Sequence, residues 1–121
     1  MGHLTLAEGE LRFAELIWER EPIPSGELVR LCEESFGWKK STTYTVLKKL
    51  CDRGIFQNKG SIVTPLVSRQ AFYARQSQRF VEETFDGSLP AFIAAFSSGG
   101  EISREDLAEI RRMLDQFDKE D

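Results

Sequence analysis

The sequence predicts a mainly α-helical protein with one small β-hairpin near its middle. Apolar residues recur at helical spacing in segments before and after that hairpin. Two β-prone runs flank a glycine-containing turn within residues 55–67. A length of 121 residues suits one small domain with an appendage. We therefore expect an N-terminal domain over residues 1–68 and a helical C-terminal domain over residues 69–121.

The first helix is predicted from about residue 6 to residue 20, because its apolar side chains recur every three or four positions. Thr5 and Glu8 match a capping box, in which a hydroxyl and a carboxylate each accept a free backbone N–H. The segment Pro22-Ile23-Pro24 ends the helix. Its two prolines favour an extended link or a short edge strand.

Two further helices are predicted before the hairpin. Ser25 is expected to cap the second helix and Gly37 to end it. The third is expected over residues 41–53, closed by Gly54. Its outward face comprises Ser41, Thr42, Tyr44, Thr45, Lys48 and Lys49, and its inward face comprises Thr43, Val46, Leu47, Leu50 and Cys51.

The hairpin follows the third helix directly. Its strands are expected at residues 55–58 and 62–67, around the turn Lys59-Gly60-Ser61. Three helices followed by a hairpin is the order of a winged helix-turn-helix domain. In such a domain one helix enters the DNA major groove, and the hairpin is the wing.

Three more helices are predicted after the hairpin, over residues 69–85 and 88–97 and from Ser103 onward. Six of the nine phenylalanines, beginning with Phe72, lie in the final 53 residues. Three short helices cannot bury so many large side chains among themselves, so we predict a two-fold dimer. The alternative is that these helices fold back over the N-terminal domain of one monomer. The predicted dimer surface comprises Phe80, Phe85, Leu89, Phe92, Ile93, Phe96, Leu107, Ile110, Leu114 and Phe117.

Charge is distributed unevenly along the chain. Residues 38–79 carry nine lysines and arginines against one acid, Asp52, for a net charge of +8. The net charge is −5 over residues 1–37 and −7 over residues 80–121. A local positive field attracts a polyanion even when the whole chain has a net charge of −4. The basic segment, which contains the third helix and the hairpin, is therefore predicted to bind DNA.

Residues near the start of the third helix are predicted to contact base edges, and nearby cations to contact phosphates. Tyr44 is the first candidate for sequence discrimination, and the alternative is that it packs partly against the wing. A single surface lysine can be merely solvated, but a cluster with one acid favours phosphate contacts. The predicted base contacts are Ser41, Thr42, Tyr44 and Thr45, and the predicted phosphate contacts are Lys39, Lys40, Lys48, Lys49, Arg53 and Lys59.

Catalysis is not predicted, because the sequence has one histidine, His3, and no phosphate-binding glycine loop. Cys32, Cys51 and His3 are too few ligands for a zinc site, so no metal or cofactor is expected. The two thiols are expected to be small buried hydrophobes, with a disulfide or redox switch as the alternative. No apolar run of about 18 residues and no export signal are visible. We expect a cytoplasmic protein that does not insert into membranes.

Several segments, taken in order, resemble the penicillinase repressor family of bacterial winged-helix regulators. They are Leu4 to Leu11, Ile17-Trp18, Ser41 to Leu50, Gly54-Ile55, Pro65 to Ser68, Phe85 to Leu89, and Ala94-Ala95-Phe96. The resemblance covers nearly the whole chain, from about Leu4 to Phe117. It implies a homodimeric repressor with an N-terminal winged helix on a pseudo-palindromic DNA operator and a three-helix C-terminal dimerisation arm.

The chain departs from the family pattern in ways that affect its expected control. The hairpin is several residues shorter than the usual wing, and Val63 replaces an aromatic residue. No cysteine follows Cys51, which excludes the copper-responsive branch. In the β-lactam branch the resemblance implies cleavage of an Asn–Phe bond, with a membrane sensor metalloprotease as a further partner. The matching positions here are Ala95 and Phe96, so the asparagine is absent.

Two other functions fit a winged helix with an acidic N-terminal third and a short wing. The domain could bind a protein partner and not DNA, which mobility shifts with the promoter of its own operon would reveal. It could also be a regulator with a small-molecule pocket in the aromatic arm. No convergent polar residues in the sequence indicate such a ligand.

Overall fold

The computed structural model describes residues 6–120 and confirms a mainly α-helical fold with a small antiparallel sheet. Three helices and one short strand precede the hairpin, and three helices follow it. None of the helices in the described residues is long and apolar enough to cross a membrane. The elements are α1 (Glu8–Arg20), β1 (Ile23–Pro24), α2 (Ser25–Phe36), α3 (Lys40–Asp52), β2 (Phe56–Lys59), β3 (Ile62–Pro65), α4 (Arg69–Phe85), α5 (Leu89–Ser98) and α6 (Arg104–Glu120).

The sheet has the strand order β1-β3-β2, with both pairs antiparallel. Ile23 pairs with Val63, which confirms the extended edge strand predicted from the two prolines. The hairpin turns at Gly60 and Ser61, which have φ values of 57° and 64°. Two consecutive residues with positive φ match the twist of the flanking strands and give a tight two-residue turn. The wing is therefore short, as its sequence predicts.

The starts of α1 and α2 differ from the sequence prediction. Thr5, the first half of the predicted capping box, lies outside the described residues. Helix α1 begins at Glu8, and the Glu10 carboxylate accepts the Ala7 N–H at 3.1 Å. The prediction that Ser25 caps α2 is wrong, because Pro24 is held extended in β1 and takes the cap position.

The predicted helix ends and later starts are confirmed. Gly37 is left-handed, with φ of 70°, and its N–H donates to the Glu33 carbonyl at 3.0 Å. The Ser88 hydroxyl accepts the Ala91 N–H at the start of α5. Ser103 does the same for α6 through the Asp106 N–H. Helix α4 has the bounds that the sequence predicts.

The core of the N-terminal unit includes Phe72, which the sequence grouped with the exposed phenylalanines of the tail. That grouping is wrong for Phe72, whose side chain is fully buried. Its ring lies 5.4 Å from the rings of Trp18 and Tyr73. The Trp18 indole N–H donates to the Val67 carbonyl at 3.0 Å, which ties the segment before α4 to α1. Among the other fully buried side chains are Phe13, Ile17, Ile23, Leu28, Leu50, Ile55, Phe56 and Val63.

The chain divides into two compact units, one ending at Ser77 and the other beginning at Gln78. The division falls within α4, later than the boundary predicted after Ser68, because Phe72 and Tyr73 pack in the N-terminal unit. The C-terminal unit has an aromatic cluster whose adjacent rings are 5.6–6.3 Å apart. The cluster comprises Phe80, Phe85, Phe92 and Phe96.

Candidate nucleic-acid interface

Helix α3 presents a short polar face at its N-terminal end. Ser41, Thr42 and Thr45 are exposed. The first turn contains no acid, and Lys39 occupies the N-cap without a side-chain hydrogen bond to the helix. The first N–H groups of a helix lack intrahelical partners and carry a partial positive charge. This end of α3 therefore attracts anions and offers three small hydroxyl side chains beside them.

The opposite face of α3 fixes that orientation by packing into the core. Thr43, Leu47 and Leu50 are buried, as the helical spacing predicts. The Thr43 hydroxyl donates to the Lys39 carbonyl at 3.2 Å, so its burial leaves the hydroxyl satisfied. The Thr45 hydroxyl donates to the carbonyl of Ser41 at 2.9 Å and keeps its lone pairs free to accept. The exposed face is thus held by a rigid helix.

Tyr44 differs from the other predicted base contacts, because it is half-buried. Its hydroxyl donates to the Ser25 hydroxyl oxygen at 3.2 Å. Its ring lines an open cleft of about 220 Å³ with Lys48 of the same helix and Asn58 of the wing. Tyr44 thus lies beside the wing, as expected from the alternative that it packs partly against the wing. Its role in base recognition stays a prediction.

The predicted phosphate contacts fall into two groups. Lys39, Lys40 and Lys59 are exposed, and none of them forms an ion pair within residues 6–120. Lys48 is exposed as well, and its Nζ is 2.9 Å from a carboxylate oxygen of Asp52 one turn later. That hydrogen bond raises the pKa of Lys48. An exposed pair of this kind contributes little to stability, so little free energy is lost when Lys48 leaves Asp52 to contact a phosphate.

Lys49 and Arg53 form the second group, because both turn toward α1. The Lys49 Nζ is 2.5 Å from Glu10 Oε2, and Arg53 Nη1 is 3.9 Å from Glu10 Oε1. The Lys49 hydrogen bond holds the pKa of the Glu10 carboxyl below its ordinary value. The sequence did not single out Glu10, since no local spacing shows a pairing between elements this far apart.

The wing adds a small exposed tip next to β1. Lys59, Gly60 and Ser61 are exposed there, and Ile62 is 40% exposed. Val63, the residue that departs from the family pattern, is fully buried and packs in the core. Within the hairpin the Gln57 side-chain amide donates to the Thr64 hydroxyl at 3.2 Å. The wing can therefore offer one lysine and two turn residues to a phosphate backbone.

The cysteines behave as hydrophobic side chains. Cys32 is fully buried, and burial raises the pKa of its thiol to about 11. Cys51 is half-buried, and burial raises the pKa of this thiol too. Both are free thiols, so the structure contains no disulfide between them. Neutral thiols of this kind react slowly.

The predicted dimer surface and the positions matching the cleavage site lie in the C-terminal unit. Ala95 and Phe96 are consecutive exposed residues of α5. Phe85 and Phe92 are half-buried in the aromatic cluster. The other eight predicted dimer residues expose between 37% and 61% of their surface: Phe80, Leu89, Ile93, Phe96, Leu107, Ile110, Leu114 and Phe117. Met113, which the sequence analysis did not include, is exposed on α6 as well.

Comparison with known proteins identifies the family. Residues 6–116 match the family model described as penicillinase repressor. The penicillinase repressor of Bacillus licheniformis is 20% identical over 115 residues, which cover 92% of this chain and 90% of that relative. The match spans the winged helix and nearly all of the C-terminal unit. The chain therefore belongs to the penicillinase repressor family and is a transcriptional repressor with a DNA-binding winged-helix fold.

Proposed function

We propose that the protein represses transcription as a homodimer that binds a pseudo-palindromic DNA operator. The observation that carries this proposal is the exposed Ser41, Thr42 and Thr45 face of α3, next to exposed lysines. An α-helix fits the major groove, and residues at its N-terminal end reach the base edges. We expect the protein to bind its operator in the cytoplasm.

The exposed side chains supply the two kinds of contact that such a complex needs. The hydroxyls of Ser41, Thr42 and Thr45 can hydrogen-bond to base edges, and the threonine methyl groups can contact thymine methyl groups. Lys39, Lys40, Lys48 and Lys59 supply affinity through phosphates. Loss of a base contact should change sequence specificity, whereas loss of a phosphate contact should weaken binding to all sequences.

Tyr44 contributes to specificity through its position on the side of α3 next to the wing. Its ring lines the cleft beside Lys48 and Asn58, and its hydroxyl donates to the Ser25 hydroxyl oxygen. From there the ring edge can contact a base or sugar at the rim of the groove. Tyr44→Phe keeps the ring and removes the hydroxyl, whereas Tyr44→Ala removes both. We expect Tyr44→Ala to change the preferred bases and Tyr44→Phe to retain them.

Dimerisation is supported by the apolar residues that the C-terminal unit leaves exposed. Phe96, Phe117 and Leu89 are each more than half exposed, and burial of such side chains is a strong driving force for association. A two-fold pair places two α3 helices on the same DNA. The two half-sites should then lie about one helical turn, or a multiple of it, apart.

Relief of repression is proposed to occur by proteolysis between Ala95 and Phe96, which would separate α5 from α6 and undo the dimer. A cut there would divide an exposed helix, so the protease must first unwind it. Incubation with a β-lactam-activated membrane sensor metalloprotease should yield two fragments. Recovery of only the intact chain would reject this mode of control.

Selection of duplexes from a random pool, followed by mobility shifts, tests the proposed function. We expect a pseudo-palindromic site bound by two chains. Thr42→Ala should change the bases preferred at matching positions of both half-sites. If the wild-type chain retains no duplex from the pool, DNA repression is rejected, and the protein-binding alternative becomes the better account.

A further inference from the structure

We propose that Glu10 of α1 is a positioning residue for DNA recognition, which holds the last turn of α3 through Lys49 and Arg53. This inference rests on the proposed function of α3 as the DNA-contacting helix. It assigns these two cations to a contact between α3 and α1, although Lys49 itself is 59% exposed, and leaves the phosphates to the other lysines. Glu10 itself contacts no DNA in this scheme.

The Glu10 carboxylate is held by its own helix as well as by α3. Its Oε1 accepts the Ala7 N–H at 3.1 Å and so caps the start of α1. The side chain is 14% exposed, which leaves it few alternative orientations. A carboxylate fixed by its own helix offers its second oxygen at a defined point in space. That point is where the Lys49 Nζ lies, 2.5 Å away.

The last turn of α3 thereby acquires two contacts to one group. Arg53 Nη1 lies 3.9 Å from the same carboxylate, and the Arg53 side chain is only 26% exposed. Cations near a helix C-terminus also interact favourably with the helix dipole, so Lys49 is stabilised from both sides. A phosphate contact by Lys49 would require breaking a pair that Glu10 holds in place.

Lys48 provides the contrast within the same helix turn. Successive helix residues point about 100° apart, so neighbouring lysines face different surroundings. The Lys48 side chain is 77% exposed and pairs with the exposed Asp52, whereas the Lys49 side chain is 59% exposed and pairs with the largely buried Glu10. Adjacent lysines of one chain therefore have different expected roles, and they form a matched pair of variants.

The Glu10 contact and the predicted base contacts lie at opposite ends of α3, so the Glu10 contact can affect sequence recognition through the angle of the helix. Base contacts are made at the N-terminal end, near Thr42, whereas Glu10 holds the C-terminal end. The buried face of α3 keeps the helix in place, but loss of the anchor allows a small change in its angle, which displaces the hydroxyl groups from the base edges. Operator binding should then weaken more than binding to unrelated duplexes, which depends on phosphates alone.

The experiment measures affinity for the selected operator and for an unrelated duplex over a range of salt concentrations. Lys49→Met and Glu10→Gln should each lower the operator-to-unrelated affinity ratio about two- to fivefold, the size expected for one partly buried pair. The double variant should be no worse than either single variant. Gln at position 10 can still accept the Ala7 N–H, so the variant preserves the cap.

Two controls distinguish anchoring from phosphate contact. Lys48→Met should weaken both duplexes equally and reduce the slope of log affinity against log salt by about one unit per half-site, whereas Lys49→Met should leave that slope unchanged. Glu8 lies in the same turn of α1, and its carboxylate pairs with Arg12 at 3.1 Å. Glu8→Gln should therefore leave the affinity ratio unchanged.

The possible results separate this inference from the proposed function. If Lys49→Met lowers the salt slope as Lys48→Met does, Lys49 is a phosphate contact, and the anchor is rejected while DNA binding stands. If the effects of Glu10→Gln and Lys49→Met add, the two residues act independently, and the anchor is rejected as well. If the wild-type chain does not prefer any selected duplex, the proposed function fails, and the inference fails with it.

Discussion

Replacement of Phe96 by alanine should disrupt the proposed dimer without unfolding the chain. Phe96 is 61% exposed in the single chain and lies at the end of the aromatic cluster, with its ring 6.3 Å from that of Phe92. Alanine keeps the helix propensity of α5 high. The variant therefore removes an exposed apolar surface while disturbing the cluster little.

The magnitude follows from the exposed area. A phenylalanine side chain offers roughly 150–250 Å², and 61% of that is roughly 100–150 Å² per chain. Burial of this area at about 25 cal/mol per Å² would stabilise the proposed dimer by about 2.5–4 kcal/mol per chain. Two equivalent side chains are lost from a symmetric pair. The dissociation constant should therefore rise about a thousandfold or more.

Analytical ultracentrifugation over a wide concentration range measures that constant, and circular dichroism monitors whether the helices are retained. Leu66→Ala is the matched control, because Leu66 is 56% exposed but lies outside the predicted dimer surface. The control should dimerise like the wild type. If Phe96→Ala dimerises with the wild-type constant, the exposed face of α5 is not the dimer surface.

Three further predictions concern DNA affinity, the core and pH dependence. Asp52→Asn removes the one acid of the basic segment and releases Lys48. DNA affinity at low salt should therefore rise about twofold per chain. An unchanged affinity would contradict this prediction. Phe72→Ala should lower the free energy of unfolding by about 3–5 kcal/mol in urea titrations, because the ring is fully buried, and a loss below about 1 kcal/mol would exclude a core role. The Arg69 hydrogen bond lowers the pKa of the Glu15 carboxyl from 4.5, so this contact stabilises the fold at neutral pH and is lost as the pH falls below that value. Wild type should therefore exceed Glu15→Gln in unfolding free energy at pH 7 and converge with it in acid, and equal stability at pH 7 would contradict the prediction.

Local sequence patterns determined most of the fold. The helix bounds of α4, the stop at Gly37 and the caps at Ser88 and Ser103 depend on nearest neighbours, and the sequence predicts each of them. The cap at Ser25 was mispredicted, because the strand pairing of Pro24 with Ile62 is a long-range effect. A pairing between distant segments leaves no periodic trace in the chain.

The sequence predicts which segment carries the basic charge but not which partners those charges have. Clustering of lysines and arginines in residues 38–79 predicts a DNA-binding segment, which stays a prediction. It did not show that Lys49 and Arg53 turn toward Glu10, whereas Lys48 remains at the surface. Helical periodicity gives the face on which a side chain lies, but the ion pair that it forms depends on tertiary packing. Phe72 is the apolar example, because its burial also depends on tertiary packing and not on helical spacing.

The most direct test is nuclear magnetic resonance of the protein bound to its selected duplex, with isotope-labelled threonine methyl groups. The methyl group of Thr42 should give nuclear Overhauser contacts to major-groove base protons in both half-sites. The contrary result is a DNA-bound protein in which Thr42 contacts only protein protons while another element approaches the bases.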